Sequence, residues 1–267
     1  MKYYMAGAFV LLGSSKFLSV VHDQALFSFH GESENFVNHN FRKDNKLMFN
    51  DVFMDSGAFS ADRQGIKLSI EKYATFINKW KDKLTVYANL DVIHDPEQTY
   101  KNQQILEKAG HDPLPVFHAG EDLKWLDDYV GSYDYIALGG MAWGYDRKRR
   151  FLDSVFAKYP DHKFHGFGVG DIGYMQRYPF HSVDSTTWFL GQKLGDLFFS
   201  DGTSAYYMDI PNDKMQELHK KGFSLEVIQN SYNARNIFNL LSLKEAMFNL
   251  EEHKKFEDYN NILEEFK

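Results

Sequence analysis

Segments with strand-like and helix-like hydrophobic patterns alternate along most of the chain, and this alternation limits the fold more than any other feature. For example, the strand-like "LTVYANLD" (84–91) precedes "PEQTYKNQQILEKAG", which is typical of a helix with Pro96 near its start and Gly110 at its end. Repeated βα units fold as a parallel sheet with helices outside it. Strand-like segments of this kind lie at 46–55, 84–91, 113–120, 133–142, 163–170 and 180–185.

Two further segments, around Tyr3–Leu12 and Asp196–Tyr207, would bring the number of strands to eight. We therefore predict an α/β fold, a (β/α)8 TIM-type barrel rather than an open doubly wound sheet. The stretch 233–267 is helical in pattern, with "NIFNLLSLKEAMFNL" as its apolar part, and predicts a C-terminal helical extension packed on the barrel. No linker or repeat interrupts the chain, so 1–267 is predicted to be a single domain.

Composition excludes several functional classes. No run approaches the roughly 20 apolar residues of a membrane span, so we expect no membrane partner. The chain has no cysteine, which excludes disulfides and thiolate metal sites and suits the cytoplasmic location that we expect. A net charge of −7 argues against a generally basic protein, although a local basic patch suffices for phosphate contacts. The run Arg147, Lys148, Arg149 and Arg150 is such a patch, and a solvated first turn of a helix has the same composition.

Polar and small residues stand where the predicted strands end. Chemistry in such barrels lies at the C-terminal ends of the strands, and Asp55, Asp91 and Asp184 occupy three of these ends. A single Asp there is more often a helix cap or a turn residue, but three that converge on one mouth indicate a site. Glycines at other ends would allow backbone to approach a flat ligand. The remaining ends carry His118, Gly139–Gly140 and Gly168–Gly170.

The residues alone leave two chemistries open. One is a metal site with His94 and His118 as additional ligands, although no tight His spacing supports it. The other is glycosyl chemistry, in which one carboxylate attacks an anomeric carbon and another transfers protons.

Several short motifs in one order resemble the tRNA-guanine transglycosylases (queuine/archaeosine tRNA-ribosyltransferases). The resemblance spans roughly residues 50 to 190. Ala58 and Ser60 in the first motif are closer to phage relatives, the DpdA-type DNA-guanine transglycosylases, which exchange guanine in DNA for a 7-deazaguanine such as preQ0. The motifs are "DSGAF" (55–59), "NLD" ending at Asp91, "VFHAG" (116–120), "LGGMAWG" (138–144), "GFGVGD" (166–171) and "VDSTTW" (183–188).

The resemblance implies a role for each matching residue. Asp184 would be the nucleophile at C1′ of the target nucleoside, and Asp55 would transfer the proton of the departing and incoming bases. Asp91 would accept hydrogen bonds from the amino and imino groups of the base. The backbone of Gly139 and Gly140 would meet the carbonyl edge of the base, and Phe59 and Phe167 would stack on its two faces. Without the resemblance, single aromatic residues such as Phe59 and Phe167 are more often part of a hydrophobic core.

Two departures from the family pattern affect the predicted substrate. The tRNA enzymes carry a glutamine where this chain has His118, which we expect to donate one hydrogen bond to the base. They also carry a Cys/His zinc subdomain, which a chain without cysteine cannot form, so DNA is favoured over tRNA. The resemblance implies no cofactor. The alternatives are the same chemistry on tRNA, a metal-dependent hydrolase that uses Asp55, Asp91, His118 and Asp184 as ligands, and a silent nucleic-acid-binding barrel.

Overall fold

Eight short strands form one curled, wholly parallel sheet with helices on its outside. The computed structural model describes residues 1–8, 22–39, 49–142 and 144–248. The strands are β1 (Lys2–Ala6), β2 (Gln24–Ser28), β3 (Asp51–Asp55), β4 (Val86–Tyr87), β5 (Val116–His118), β6 (Tyr135–Gly139), β7 (Lys163–Gly166) and β8 (Ser182–Ser185). Their hydrogen-bonded order is β4-β3-β2-β1-β8-β7-β6-β5, and each neighbouring pair is parallel.

The sheet does not close into a continuous barrel, which corrects the predicted (β/α)8 TIM-type barrel. The two end strands, β4 and β5, are joined by one isolated parallel bridge between Ala88 and Leu114. Just beyond this bridge, the backbone of the segment that follows β4 bonds to the next helix, Pro96–Lys108, instead of to β5. The amide of Asn102 in that helix donates to the carbonyl of Leu90 (2.7 Å), so the ladder ends there. The coarser prediction, an α/β fold with parallel strands and helices outside, is confirmed.

Two strands differ in position from the sequence prediction. The short segment "QALFS" of β2 was not predicted, because five residues carry too little periodicity. Asp196–Tyr207 was wrongly predicted as the eighth strand of the sheet. It forms a separate antiparallel hairpin of β9 (Asp196–Phe198) and β10 (Ser204–Tyr206), whose turn the Asp201 carboxylate caps. The predicted strand Tyr3–Leu12 corresponds to β1, with 9–12 outside the described residues.

The helix predicted between Pro96 and Gly110 is present, whereas Phe29–His39, Met215–Lys220 and Leu225–Asn230 are helices that were not predicted. No helix in the described ranges has the length and apolar character needed to cross a bilayer. The helices are α1 (Phe29–His39), α2 (Ala58–Arg63), α3 (Ile70–Trp80), α4 (Pro96–Lys108), α5 (Leu123–Val130), α6 (Tyr145–Lys158), α7 (Ile172–Arg177), α8 (Leu190–Lys193), α9 (Met215–Lys220), α10 (Leu225–Asn230) and α11 (Tyr232–Phe248).

Aspartates begin three of the helices that follow strands. Asp95 accepts a hydrogen bond from the backbone of α4 (2.9 Å), where Pro96 is the first helical residue. Asp122 and Asp171 cap α5 and α7 in the same way. Local sequence therefore determines where these helices start.

Two-residue alternation divides the strand residues between two cores. Val52 and Met54 of β3 face outward and pack with the helices in the main hydrophobic core, whereas Phe53 faces the inside of the curl. At the N-terminal end of the strands the interior is polar, because Lys2 and the Tyr4 hydroxyl both bond to Asp51 (2.8 Å each). The inner cluster consists of Tyr4, Ala6, Leu26, Phe53, Ala88, Leu114, Val116 and Ala137.

The C-terminal helix α11 packs against α8, β9 and the turn Thr187–Phe189. Its apolar residues, among them Ile237, Phe238 and Leu241, belong to the main core. The predicted C-terminal helical extension is therefore present as far as α11, and residues 249–267 lie outside the described residues.

We predict that Gly57→Ala lowers the free energy of unfolding by about 2–4 kcal/mol. Gly57 joins β3 to α2 with φ 78°, and a Cβ there would lie 2.8 Å from the Cβ of His30. Gly65 has a similar φ of 67°, but a Cβ there would have no heavy atom within 4 Å apart from its chain neighbours. Gly65→Ala should therefore lower the free energy of unfolding by only about 1 kcal/mol. Urea unfolding measures both changes, and equal losses would contradict the steric argument.

Candidate functional site

The C-terminal ends of the strands surround a cavity of ≈ 960 Å³. The inward-facing residues are Phe53 and then Asp55 along β3, and Val116 and then His118 along β5, because side chains alternate between the two faces of a strand. The last inward-facing residue of each strand therefore lines this cavity. Arg149 and Arg150 are not among its lining residues. The predicted site residues that do line it are Asp55, Phe59, Asp91, His118, Gly139, Gly140, Arg147, Lys148, Phe167 and Asp184.

Asp55, at the end of β3, both shapes a turn and faces the cavity. Its Oδ2 accepts hydrogen bonds from the Gly57 N–H (3.1 Å) and the Ser28 hydroxyl (3.3 Å). Burial, and then the negative charges of Asp91 and Asp184, raise the pKa of Asp55 to about 7. At neutral pH both its acid and its base form are populated, which suits a group that passes protons in both directions.

Asp91 is held by a buried histidine that lies between two carboxylates. Its Oδ1 accepts from the Ser56 hydroxyl (2.5 Å) and its Oδ2 from His118 Nε2 (2.8 Å). On the other side of the ring, His118 Nδ1 donates to Glu121 Oε1 (3.0 Å). Burial alone would lower the pKa of His118, but the hydrogen bonds to Asp91 and Glu121 outweigh it and raise that pKa to about 10. His118 is therefore an imidazolium at neutral pH.

Asp184 is held by a second buried histidine in a different protonation state. Its Oδ1 accepts from the Gly168 N–H (3.0 Å) and from His165 Nε2 (3.2 Å). Burial lowers the pKa of His165, so the ring is neutral and its one proton lies on Nε2. Nδ1 then accepts from the Ser182 hydroxyl (2.6 Å), which in turn accepts from the Tyr135 hydroxyl (2.5 Å).

The two Asp–His pairs differ in charge because the second partner of each histidine differs. Glu121 adds a negative charge behind His118, which favours the cationic form of that ring. The cation is paired with Asp91 on one side and with Glu121 on the other. Ser182 offers only a hydroxyl behind His165, so this ring adds no positive charge beside Asp184. Among the described residues, no other hydrogen bond engages Asp184, and its Oδ2 is available to a ligand. The arrangement therefore provides one carboxylate that is paired with a cation and one that has no cationic partner among the described residues.

Aromatic rings stand on two sides of the cavity. Phe59 on α2 is 54% exposed, and the Arg63 guanidinium lies 5.8 Å from its ring centroid. Phe167, after β7, is half-buried and packs edge-to-face on His165 (4.6 Å between centroids). Exposed aromatic surface at a cavity rim is available for stacking on a flat ligand.

Gly139 and Gly140 have a packing role in this wall. A Cβ at Gly139 would lie 3.0 Å from His118 Cδ2, and one at Gly140 would lie 3.2 Å from the Ala119 nitrogen. Gly140 also has φ 69°. The pair therefore lets the end of β6 approach the His118 ring.

The basic run begins α6 at the rim of the cavity. Lys148 lies 5.3 Å over the Tyr174 ring, whereas Arg149 and Arg150 are exposed on the helix beyond the cavity. Cations in a first helical turn oppose the helix dipole, so helix stability does not explain their position.

No group of three His, Asp or Glu side chains in the described ranges has the geometry to hold a metal ion. Both ring nitrogens of His118 are bonded to carboxylates. His94 lies at the cavity rim in a left-handed conformation with φ 64°. The metal-hydrolase alternative therefore has no ligand set in this part of the chain.

The expectation that His118 donates to a ligand does not match its contacts, since both of its N–H groups are used within the protein. Two residues of the site, Glu121 and His165, were not predicted from the sequence. A signal for His165 exists, because it lies two residues before Phe167 on the same inward face of β7. Glu121 gives no periodic signal, because it lies in the turn after β5 and its side chain folds back.

A scan of the chain against protein-family models gives no match, and a search of curated proteins finds none that is significantly similar.

We predict that Asp55→Asn stabilises the fold at pH 8. The pKa of Asp55 is raised in the folded protein from 3.8 to about 7, so its favourable contribution is fully present below 3.8 and is lost as the pH rises through 7. The neutral amide removes this loss, and the free energy of unfolding should rise by about 1–3 kcal/mol at pH 8. Urea unfolding at pH 4.5 and 8 measures it, with the exposed Asp128→Asn as control. An equal change at both pH values would contradict the prediction.

Proposed function

We propose that the chain is a base-exchange transglycosylase that replaces guanine in DNA by a 7-deazaguanine of the preQ0 type through a covalent aspartyl–sugar intermediate. The observation that carries the proposal is the group of three carboxylates in one cavity. Asp184 has no cationic partner among the described residues, Asp91 is paired with the His118 cation, and Asp55 has a pKa of about 7. These are the properties that a nucleophile, a base-binding group and a proton carrier require.

In the first step, the Asp184 carboxylate forms a bond to C1′ of the target nucleoside as the C1′–N9 bond breaks. The bonding electron pair leaves with the purine. Asp55 in its acid form gives its proton to the departing base, so guanine leaves as a neutral molecule. The charge distribution supports this assignment, because Asp184 faces a neutral histidine, whereas Asp91 is paired with a cation.

In the second step, Asp55 in its base form accepts the N9 proton of the incoming base. N9 then forms the new bond to C1′, and the C1′–Oδ bond to Asp184 breaks with its electron pair returning to the carboxylate. Both catalytic groups are restored. The exchange conserves protons and electrons and consumes no co-reactant.

Recognition of the base falls to Asp91 and to the rings. Each Asp91 oxygen has one protein donor and can accept a further hydrogen bond from the base. Phe59 and Phe167 would contact the two faces of the ring system. A base in this cavity must leave its stack, as in other enzymes that act on nucleobases. We further propose that the curled sheet works as a (β/α)8 barrel, in which the single bridge between Ala88 and Leu114 joins the two end strands.

DNA is preferred to tRNA in this proposal for two reasons. The motif "DSGAFS" is closer to the DNA-acting relatives, and the chain has no cysteine for a thiolate zinc subdomain. Incorporation of labelled guanine into purified tRNA but not into DNA would assign the same chemistry to the alternative substrate.

We expect the purified protein to exchange labelled guanine or preQ0 into DNA, and Asp184→Asn to lower the rate by about 10³-fold or more. Denaturation during turnover should trap a covalent protein–DNA adduct in the wild type but not in this variant. Asp128→Asn, the same change at an exposed position, is the matched control. Full activity of Asp184→Asn would refute the mechanism, and no adduct with any nucleic acid would favour a silent binding protein.

The rate of adduct formation should fall as the pH rises above about 7, because Asp55 must be protonated to donate to the leaving base. Asp55→Asn should lower this rate by about 10²–10⁴-fold and remove the pH dependence near 7. Single-turnover measurements between pH 5.5 and 9 test this. A wild-type profile that is flat across pH 7 would assign the proton transfer to another group.

Lys148→Gln should weaken DNA binding and reduce the slope of log K against log salt by about 1, because this side chain lines the cavity rim. Replacing Arg149 and Arg150 by Ala tests whether phosphate contacts extend along α6. We expect weaker binding and a flatter salt dependence there too. An unchanged slope would assign the two arginines to a solvated helix face.

A further inference from the structure

Glu121 lines the cavity, yet its carboxylate is turned back on its own loop. One oxygen accepts from the backbone N–H of His118 (3.1 Å) and the other from the His118 ring (3.0 Å). The N–H of Glu121 donates to the carbonyl of His118 (3.1 Å), so residues 118–121 form a closed turn. Only 8% of the Glu121 side chain is exposed.

A buried carboxylate in this position requires a compensating charge. The only cation bonded to it within the described ranges is His118, which is also the partner of Asp91. The two carboxylates therefore depend on one proton-carrying ring. If Glu121 were neutral, the ring would lose one of the two interactions that keep it charged.

We infer that Glu121 is a positioning residue that fixes the charge and orientation of Asp91, the carboxylate that binds the base, by holding His118 between the two. The inference rests on the proposed function, because it assigns the base to Asp91. Ser56 bonds to the other Asp91 oxygen (2.5 Å), so both oxygens have a fixed donor on the protein side. The carboxylate then presents one acceptor position per oxygen to adjacent N–H groups, as the imino and amino groups of guanine require.

Other titratable groups face this unit. Asp55 from β3 interacts with the charge of Asp91, as does Tyr73 from α3. Tyr129 from α5 faces both Glu121 and Asp91. Burial and these carboxylates raise the pKa of both tyrosines, so both stay neutral between pH 6 and 9. Asp55 does titrate in this range, and Asp55→Asn serves as a background that removes its contribution.

The test is Glu121→Gln in the full chain, with free guanine as the probe. The amide can still accept from His118, but it does not attract the ring proton. We expect the protonation equilibrium of His118, followed by NMR of labelled histidine and assigned with His118→Gln, to shift toward neutral by about a thousandfold, so that the ring is mostly neutral at pH 8. Guanine binding by calorimetry should weaken roughly tenfold at pH 8 and recover toward the wild-type value at pH 6, where the ring is charged again.

Glu107→Gln is the matched control. Like Glu121, Glu107 accepts a hydrogen bond from a ring side chain, in this case from the Tyr133 hydroxyl, but it is exposed on α4 and does not line the cavity. This variant should leave both measurements unchanged. The same pH dependence in the Asp55→Asn background would assign the effect to His118.

A loss of guanine binding that is equal at pH 6 and pH 8 would overturn the inference, because it indicates a structural role alone. An unchanged His118 titration in Glu121→Gln would overturn it as well. If the variant does not fold, the wild-type titration decides: an imidazolium that persists to pH 8 supports the inference, and a neutral ring at pH 8 overturns it. Absence of guanine binding by the wild type would refute the proposed function, whereas the NMR measurement would still test the effect of Glu121 on His118.

Discussion

The alternation of side-chain direction along short parallel strands is the constraint on which the site depends. Residues two apart on a strand share a face, and parallel strands end at the same edge of the sheet. The apolar interior formed by residues such as Phe53 and Val116 therefore continues, one inward position later, into Asp55 and His118. The same step on β8 leads from Ser182 to Asp184. Fold and site thus share one geometric origin.

Buried ionisable groups at this edge are tolerated because nearly all of them are bonded to one another. Two histidines, each beside an aspartate, acquire opposite protonation states from a single difference, the carboxylate of Glu121 in one case and the hydroxyl of Ser182 in the other. Asp55 lacks such a partner and instead keeps a proton near neutral pH. This opposes stability at alkaline pH, a conflict with folding that is common at functional sites.

Much of the site was predictable from the sequence. Asp55, Asp91 and Asp184 were selected because aspartates at several predicted strand ends converge, and the structure brings them to one cavity. The start of α4 was also predicted locally, from Pro96 near the beginning of its segment. The strand β2 was not predicted, because five residues show no distinctive hydrophobic period. The hairpin of β9 and β10 was wrongly predicted as a strand of the main sheet. Whether a segment joins the main sheet depends on distant partners rather than on its own pattern.

The sequence by itself determined the parallel α/β architecture, the start of α4 at Pro96 and the positions of the strand-end carboxylates, because periodicity and helix-start signals act over a few residues. The tertiary structure alone decided that a single bridge, between Ala88 and Leu114, joins the two end strands, and it decided the protonation of the two buried histidines. Both depend on which atoms from distant segments meet. His118 becomes a cation because Asp91, 27 residues before it, reaches its ring, and no local pattern records such a contact.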